Sequence, residues 1–277
     1  MVDTDSPIPS PAPPPATQPT GFSAVQDGRV LRVTLTKPER KNALDYDSLV
    51  ALGDTFLAAA ADKAVRVVVL TGAGGDFCTG ADLAAGAEEG ARGITPDQVM
   101  DAANRLVRAI VDLPIPVIVR LRGATAGVGV GIALAADLVY AEADSYLLLA
   151  FINIGLMPDG GAAALVAAAA GRPLAARMAL LGERLPAPAA HAEGLFTEVL
   201  ANTAELDAAV EAAAEKISHG PRRALELTKK ALNRATLAAL DSALADEKAG
   251  QVELLQSPDF FEGAGAMLGK RKAVFTE

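Results

Sequence analysis

Residues 114–161 constrain the fold of this chain more than any other stretch. They begin with an apolar run of strand length, residues 117–121, followed by a glycine-rich turn, residues 123–131, and an apolar helical segment that ends near Asp137. A strand that runs through a glycine-rich turn into a helix presents unpaired backbone N–H groups at the helix start. The stretch therefore predicts a site for negative charge, either a phosphate or an oxyanion.

Two nucleotide-binding motifs are excluded here. A G-x-G-x-x-G fingerprint starting at Gly127 requires glycine at position 132, which is Ile132. The P-loop pattern G-x-x-x-x-G-K-[ST] occurs nowhere in the chain. What remains is a tight turn in which backbone segments approach closely, without a nucleotide-binding fold.

Composition excludes further classes of protein. The formal net charge of −9 argues against general nucleic-acid binding, which needs a basic face. The single cysteine, Cys78, excludes a disulfide framework and a multi-cysteine metal site, and His191 and His219 show no ligand spacing. We therefore expect no metal centre. We also expect a cytoplasmic protein, because no apolar run is long enough to span a bilayer.

The order of elements indicates an α/β fold over the first 200 residues and helices only from Glu205 onward. The first predicted elements are a β-hairpin over residues 22–36 turning on Asp27 and Gly28, a helix over 45–62 and a strand over 65–70. A mobile loop over 84–93 precedes a helix over 96–113, which begins at a Thr95–Gln98 capping box. A strand over 138–141 and a last helix beginning at Ser257–Pro258 complete the predictions. Three regions follow: a disordered Pro-rich tail (1–20), a core (21–200) and a C-terminal helical region (201–277).

Four segments in order resemble the crotonase family, the enoyl-CoA hydratase/isomerase superfamily. They are PERKNAL at residues 38–44, FCTGADL at 77–83, the glycine-rich residues 123–137, and residues 263–275 with their Lys-Arg-Lys cluster. The resemblance covers about residues 22–277. It implies an α/β fold with a crotonase-like ββα spiral core, a C-terminal helical oligomerisation region, and homotrimers or hexamers (dimers of trimers) that act on acyl-CoA thioesters.

The resemblance also implies an oxyanion hole and a coenzyme A site. In this family a thioester enolate is held by two backbone N–H groups, which correspond here to Ala81 and Val128, and backbone donors do not depend on side-chain type. The positions that correspond to coenzyme A contacts are Arg40, Lys41, Ala43, Thr79, Asp82, Leu83 and Lys270. No cofactor is expected beyond the coenzyme A of the substrate itself.

The chain departs from the family at its two hydratase glutamates. Their positions carry Gly131 and Phe151, which line the expected substrate pocket but have no ionisable group. Addition of water then lacks its acid and base. We therefore expect hydration of crotonyl-CoA near background, and glutamates restored at these positions should raise it only if the pocket has room for water.

One carboxylate remains near this turn in the sequence, Asp159. Some isomerases and dehalogenases of the family carry a catalytic carboxylate at this position. Beside Phe151 and Met157 its proton affinity should rise, which suits a proton shuttle. The alternative is that Asp159 caps the helix that follows it.

The interpretation that these residues favour is an enoyl-CoA isomerase, with Asp159 moving the proton and the N–H groups of Ala81 and Val128 stabilising the enolate. Two alternatives stay open. One is a hydratase-type lyase of fatty-acid metabolism that uses a carboxylate from elsewhere, for example from residues 84–93. The other is an acyl-CoA binding protein without catalysis.

Overall fold

The computed structural model describes residues 21–276, so the predicted tail over residues 1–20 lies outside the described residues. The strands within this part are β1 (Phe22–Asp27), β2 (Val30–Leu35), β3 (Val67–Gly72), β4 (Val117–Leu121), β5 (Ala124–Ala126), β6 (Leu138–Glu142), β7 (Tyr146–Leu148), β8 (Arg184–Pro186) and β9 (Glu198–Leu200). The helices are α1 (Tyr46–Ala61), α2 (Gly86–Ala91), α3 (Pro96–Val111), α4 (Val128–Leu134), α5 (Ala162–Ala170), α6 (Arg172–Leu181), α7 (Ala187–Ala192), α8 (Thr203–Ser218), α9 (Arg222–Thr236), α10 (Leu240–Leu254) and α11 (Pro258–Leu268). Two 3-10 turns cover Pro38–Arg40 and Ala150–Ile154.

A six-stranded sheet in the order β1-β2-β3-β4-β6-β9 forms the centre of the fold. β1 and β2 pair antiparallel, and the later neighbours pair parallel. Successive residues of β3 face opposite sides. Val68 and Leu70 join the main core with α1 and α3, whereas Val67 and Val69 join a second cluster with α8. Both faces are therefore covered by helices, which explains the unbroken apolar sequence of this strand.

A smaller sheet in the order β5-β7-β8 leads into the candidate site. β5 pairs parallel with β7, which pairs antiparallel with β8. The N–H of Gly127, the residue between β5 and α4, donates to the Leu148 carbonyl oxygen of β7 at 3.1 Å. The second sheet thus fixes the point where α4 begins.

Most of the predicted elements are confirmed. The hairpin forms, α1 and α3 occupy the predicted stretches, and β4 has the predicted bounds. Asp45 caps α1 by accepting the Ser48 N–H at 2.8 Å, and Thr95 and Gln98 form the predicted capping box of α3. These elements were predictable because their signals are local: turn residues, caps and apolar periodicity.

Four boundaries differ from the predictions. Residues 84–93, predicted as a loop, contain the short helix α2. The predicted turn over residues 123–131 is split between β5 and the start of α4, which ends at Leu134 rather than near Asp137. β3 lies two residues later than predicted, where Val67 begins its ladder with Val30 of β2. These boundaries depend on pairing with a distant segment or on helices of six or seven residues. Neither produces a periodic pattern of apolar residues in the sequence.

From Thr203 onward the described chain is helical. Lys229 of α9 is buried and its Nζ donates to Asp137 at 2.8 Å and to the carbonyl oxygens of Ile110 and Ile115, which ties α9 to the core. A cleft of about 480 Å³ beside Lys229, between α3 and α9, lies apart from the candidate site. None of the helices within residues 21–276 has the length and apolar character to cross a membrane. The oligomeric state stays a prediction.

Candidate active site

Two backbone segments lie side by side at the end of β5. Cys78 pairs with Thr125 in a parallel bridge, and the Ala126 N–H donates to the Cys78 carbonyl oxygen at 2.9 Å. We call these segments, residues 78–81 and 125–131, the glycine wall. The wall joins the second and third segments that carry the family resemblance.

The N–H groups of Ala81 and Val128 lie on the two neighbouring backbone segments of the glycine wall. Continuing the bridge register by three residues brings them level. On its other side Ala81 is bridged to Leu44. The Leu44 N–H donates to the Gly80 carbonyl oxygen, and the Leu44 carbonyl oxygen accepts the Asp82 N–H. In this parallel pattern the Ala81 N–H points away from Leu44. Val128 is the first residue of α4, where an N–H has no partner inside the helix. Neither N–H has a protein acceptor within residues 21–276.

The glycines of the wall are required by close approach of the backbone. Gly80 has a φ of +95°, and a Cβ built on it would lie 3.4 Å from the Val128 nitrogen. A Cβ on Gly129 would lie 2.5 Å from the Cys78 carbonyl oxygen. Larger residues would push the two segments apart, so the spacing of the two free N–H groups depends on these glycines.

The two positions that correspond to the hydratase glutamates, Gly131 and Phe151, have different surroundings. A Cβ built on Gly131 would overlap the carbonyl oxygen of Gly160, so no side chain fits there without backbone movement. Phe151 is buried, 6% exposed, and its Cζ lies 3.9 Å from a Cβ built on Gly127 of the wall. Restoration of hydration by glutamates stays a prediction, and Gly131→Glu would need the backbone to move.

Asp159 does not cap the helix that follows it. α5 begins after Gly161, which has a φ of +72° and no side-chain cap. The Asp159 Oδ2 instead accepts the Nε2–H of Gln251 at 2.8 Å, while Oδ1 is buried without a hydrogen-bond partner. Burial raises the pKa of Asp159 to about 6, as the sequence predicted, and the Gln251 bond opposes this rise. The capping alternative is therefore wrong.

The loop that carries Asp159 is pressed against the glycine wall. A Cβ built on Gly160 would lie 2.6 Å from Cγ2 of Val128. We call residues 157–161 the acid–base loop. This contact places the loop that carries Asp159 against Val128, the first residue of α4.

Helix α10 covers the acid–base loop with two polar side chains that the sequence analysis did not single out. Glu247 accepts the Gly161 N–H at 2.7 Å, and Gln251 bonds Asp159 and accepts the Met157 N–H at 3.4 Å. Met157, predicted to line the pocket, packs its sulfur against Gly250. The available signal was the pair of polar residues four apart, 247 and 251, on the apolar stripe of α10.

Most of the predicted coenzyme A residues lie together next to Ala81. Arg40 pairs with Asp82, and the Lys41 carbonyl oxygen accepts the Thr79 N–H at 3.1 Å. Ala43 is buried beside this turn, and Leu83 follows Asp82 in the chain. The group lies beside residues 78–81 of the glycine wall.

Lys270 is the exception. α11 ends at Leu268, so the Lys270–Lys272 cluster lies beyond the helix that was predicted to carry it. The Lys270 N–H bonds Met267, and Arg271 pairs with Glu262. Among the hydrogen bonds and ion pairs of the described residues, none joins Lys270 to the turn around Arg40.

Residues 26–277 match the family model for enoyl-CoA hydratase/isomerase. The chain belongs to this family. It is 36% identical over 258 residues to 1,2-epoxyphenylacetyl-CoA isomerase of Escherichia coli K12, covering 92% of this chain and 97% of that protein. It is 32% identical over 247 residues to the 2,3-dehydroadipyl-CoA hydratase of the same organism, covering 89% and 95%.

Solved structures of the family have the same fold. A crystal structure of an enoyl-CoA hydratase from Mycobacterium avium subsp. paratuberculosis K-10 superimposes with a TM-score of 0.86 at 44% identity. The match covers 93% of this chain and 99% of that one. The predicted crotonase-like α/β fold is therefore confirmed, and the similar proteins include both isomerases and hydratases.

Proposed function

We propose that this protein is an enoyl-CoA isomerase that shifts a carbon–carbon double bond through a thioester enolate. The observation that carries the proposal is the Asp159 Oδ1, a buried carboxylate oxygen without a partner, in a loop packed against Val128. A base next to preorganised donors is what proton transfer alpha to a thioester requires. The proposal assigns the base to Asp159 and the oxyanion donors to Ala81 and Val128.

The proposed reaction has two proton transfers. Asp159 removes a proton from the alpha carbon of a 3-enoyl thioester, and the electron pair moves to the thioester oxygen, where the two N–H groups hold it. Asp159 then returns the proton to carbon 4, which leaves the 2-enoyl thioester. A pKa of about 6 leaves the Asp159 carboxylate largely ionised at neutral pH and still basic enough to hold the proton between the steps.

Coenzyme A would lie along the turn beside the glycine wall. We assign its contacts to Arg40, Lys41, Ala43, Thr79, Asp82 and Leu83, and include Lys270 through movement or a neighbouring subunit of the proposed homotrimer or hexamer. On this proposal no further cofactor takes part. One similar protein, 1,2-epoxyphenylacetyl-CoA isomerase, isomerises another CoA thioester, so the epoxide is a second substrate to assay.

Hydration is the runner-up, because some similar proteins are hydratases. Gly131 and Phe151 provide no acid or base for it. In the 84–93 segment, Glu89 accepts the Tyr46 N–H at 2.7 Å and is thereby held at the start of α1. These contacts favour isomerisation over water addition.

The test is Asp159→Asn, which keeps the size of the side chain and removes the base. Isomerisation of 3-enoyl-CoA and deuterium exchange at the alpha carbon should both fall by about 10²–10⁴-fold, the usual contribution of a general acid–base group. Asp246→Asn is the matched control, because Asp246 is an exposed carboxylate of α10. It should leave both rates unchanged.

Three outcomes would contradict the proposal. Full isomerase activity in Asp159→Asn would show that Asp159 is not the base. Hydration of crotonyl-CoA by the unchanged protein at about 1–10³ per second, an ordinary enzyme rate, would make it a hydratase. Binding of acyl-CoA with neither exchange nor turnover on any enoyl chain would make it a binding protein.

A further inference from the structure

Helix α10 carries two buried polar side chains on its otherwise apolar inner face. Glu247 is 6% exposed and Gln251 is 1% exposed, and they continue the buried face that Leu240 and Leu244 begin. A carboxyl and an amide buried in this way lose hydration that only hydrogen bonds can replace. Their partners therefore show what they do.

Both side chains bond the acid–base loop and reach alternate residues of it. Gln251 accepts the Met157 N–H and donates to the Asp159 Oδ2, and Glu247 accepts the Gly161 N–H. The loop is thus held on both sides of Asp159. With Oδ2 occupied by Gln251, Oδ1 is the carboxylate oxygen that has no hydrogen-bond partner.

We propose that Glu247 and Gln251 are positioning residues that fix the acid–base loop and direct Oδ1 of Asp159 at the substrate. This rests on the proposed function of Asp159. Neither residue needs to touch the substrate, because each acts through the loop. Proton transfer is sensitive to such placement, since a displacement of about 1 Å can lower a rate by about 10²-fold.

The surroundings of Glu247 add an electrostatic consequence. Asp159 faces it from the loop, and Lys248, the next residue of α10, pairs with Asp97 and Asp101 of α3. α5 presents only Ala, Leu and Val to this region. Burial, and then the charge on Asp159, raise the pKa of Glu247 to about 8.

Ionisation of Glu247 would therefore place a second negative charge beside Asp159 and the enolate. Two carboxylates in one buried volume oppose each other's charge. With Glu247 neutral, Asp159 alone carries the charge that the reaction needs. The isomerisation rate should fall as pH rises above about 8, where Glu247 ionises.

The experiment compares Glu247→Leu, Glu247→Gln and the control Asp246→Asn in the full-length protein. Leu has no acceptor for the Gly161 N–H, so kcat for 3-enoyl-CoA should fall by about 10–10²-fold while KM changes less than about twofold. Gln restores an acceptor oxygen and cannot ionise, so it should recover most of the lost kcat and abolish the decline above pH 8. Asp246→Asn should match the unchanged protein throughout.

The outcomes separate this proposal from the one on which it rests. If Asp159→Asn abolishes activity but Glu247→Leu keeps its kcat, the positioning role is wrong and the proposed function stands. If Asp159→Asn is active, the proposed function is wrong. Should Glu247→Leu fail to fold, the pH profile of Glu247→Gln decides, because an unchanged decline above pH 8 overturns the role of Glu247.

Discussion

The glycine wall is built from backbone, whereas the acid–base loop is held by side chains. In the wall, the Ala81 and Val128 N–H groups are spaced by glycines that let main-chain atoms touch. In the loop, the Asp159 carboxylate is directed by Gln251, which is 92 residues away in the sequence, and Glu247 holds Gly161 across 86 residues. One side of the site is fixed by local sequence and the other by tertiary packing.

This difference predicts different responses to substitution. The wall should tolerate any side chain that leaves its backbone in place, because its donors are N–H groups. The acid–base loop should respond to single polar atoms on α10, because those atoms set the position and the proton affinity of Asp159. Each prediction below tests one half of this contrast.

The largest effect should come from removing a donor of the wall. Val128→Pro deletes one N–H at the first position of α4, where proline is tolerated. We expect kcat for isomerisation to fall by about 10²–10³-fold, the usual loss for one oxyanion donor. Val128→Ala keeps the N–H and should stay within about threefold of the unchanged protein. Equal loss in both variants would mean that the side chain, and not the donor, matters.

A smaller effect should follow from a substitution that forces the glycine wall and the acid–base loop apart. Gly131→Ala adds a Cβ where the Gly160 carbonyl oxygen lies, so the acid–base loop must move. Overpacking of this kind costs about 1–3 kcal/mol of unfolding free energy, and the shift of Asp159 should lower kcat by about 10²-fold. Gly265→Ala is the control, because a Cβ there meets open space. A Gly131→Ala protein with unchanged melting temperature and kcat would contradict the tight contact.

The sequence predicted the wall better than the loop for a physical reason. The wall is specified by short motifs, because glycine is required where two backbone segments touch. These glycines can be recognised in the sequence itself. β4 and α3 were predictable in the same way, from an apolar run and from the Thr95–Gln98 capping box.

The acid–base loop was harder to predict because its partners are remote. Asp159 before Gly160 and Gly161 has the local sequence of a helix cap, and only the packing of α10 shows that Gln251 takes its carboxylate instead. The local signal for Glu247 was its spacing of four residues from Gln251, and this spacing alone does not distinguish a buried acid from a surface charge. Its burial depends on how α10 lies against the loop.

A third prediction concerns the proton affinity of Asp159. The Gln251 bond lowers the pKa of Asp159, so Gln251→Leu should raise it further above about 6. Since the reaction needs the ionised carboxylate, the acid limb of the pH–rate profile should move to higher pH. Beside the loss of kcat that follows at every pH from the freed loop, a rise of one unit would lower the rate at pH 6 about fivefold further than at pH 8. Gln256→Leu, at an exposed glutamine just past α10, should shift nothing, and an unmoved acid limb in Gln251→Leu would contradict the bond.

The smallest effect should appear in stability rather than in activity. The pKa of Glu247 is raised from 4.5 to about 8 in the folded protein, so the folded state holds this proton more tightly than the unfolded state. The free energy of unfolding should therefore decrease as pH rises from about 4.5 to 8, and Asp159 acts in the same direction between 3.8 and about 6. Glu247→Gln removes the first contribution. Its melting temperature should exceed that of the unchanged protein by a few degrees at pH 8, since about 1 kcal/mol shifts a protein of this size by about 2–4 °C, and by much less at pH 5. A difference independent of pH would show that Glu247 is not buried as a neutral acid.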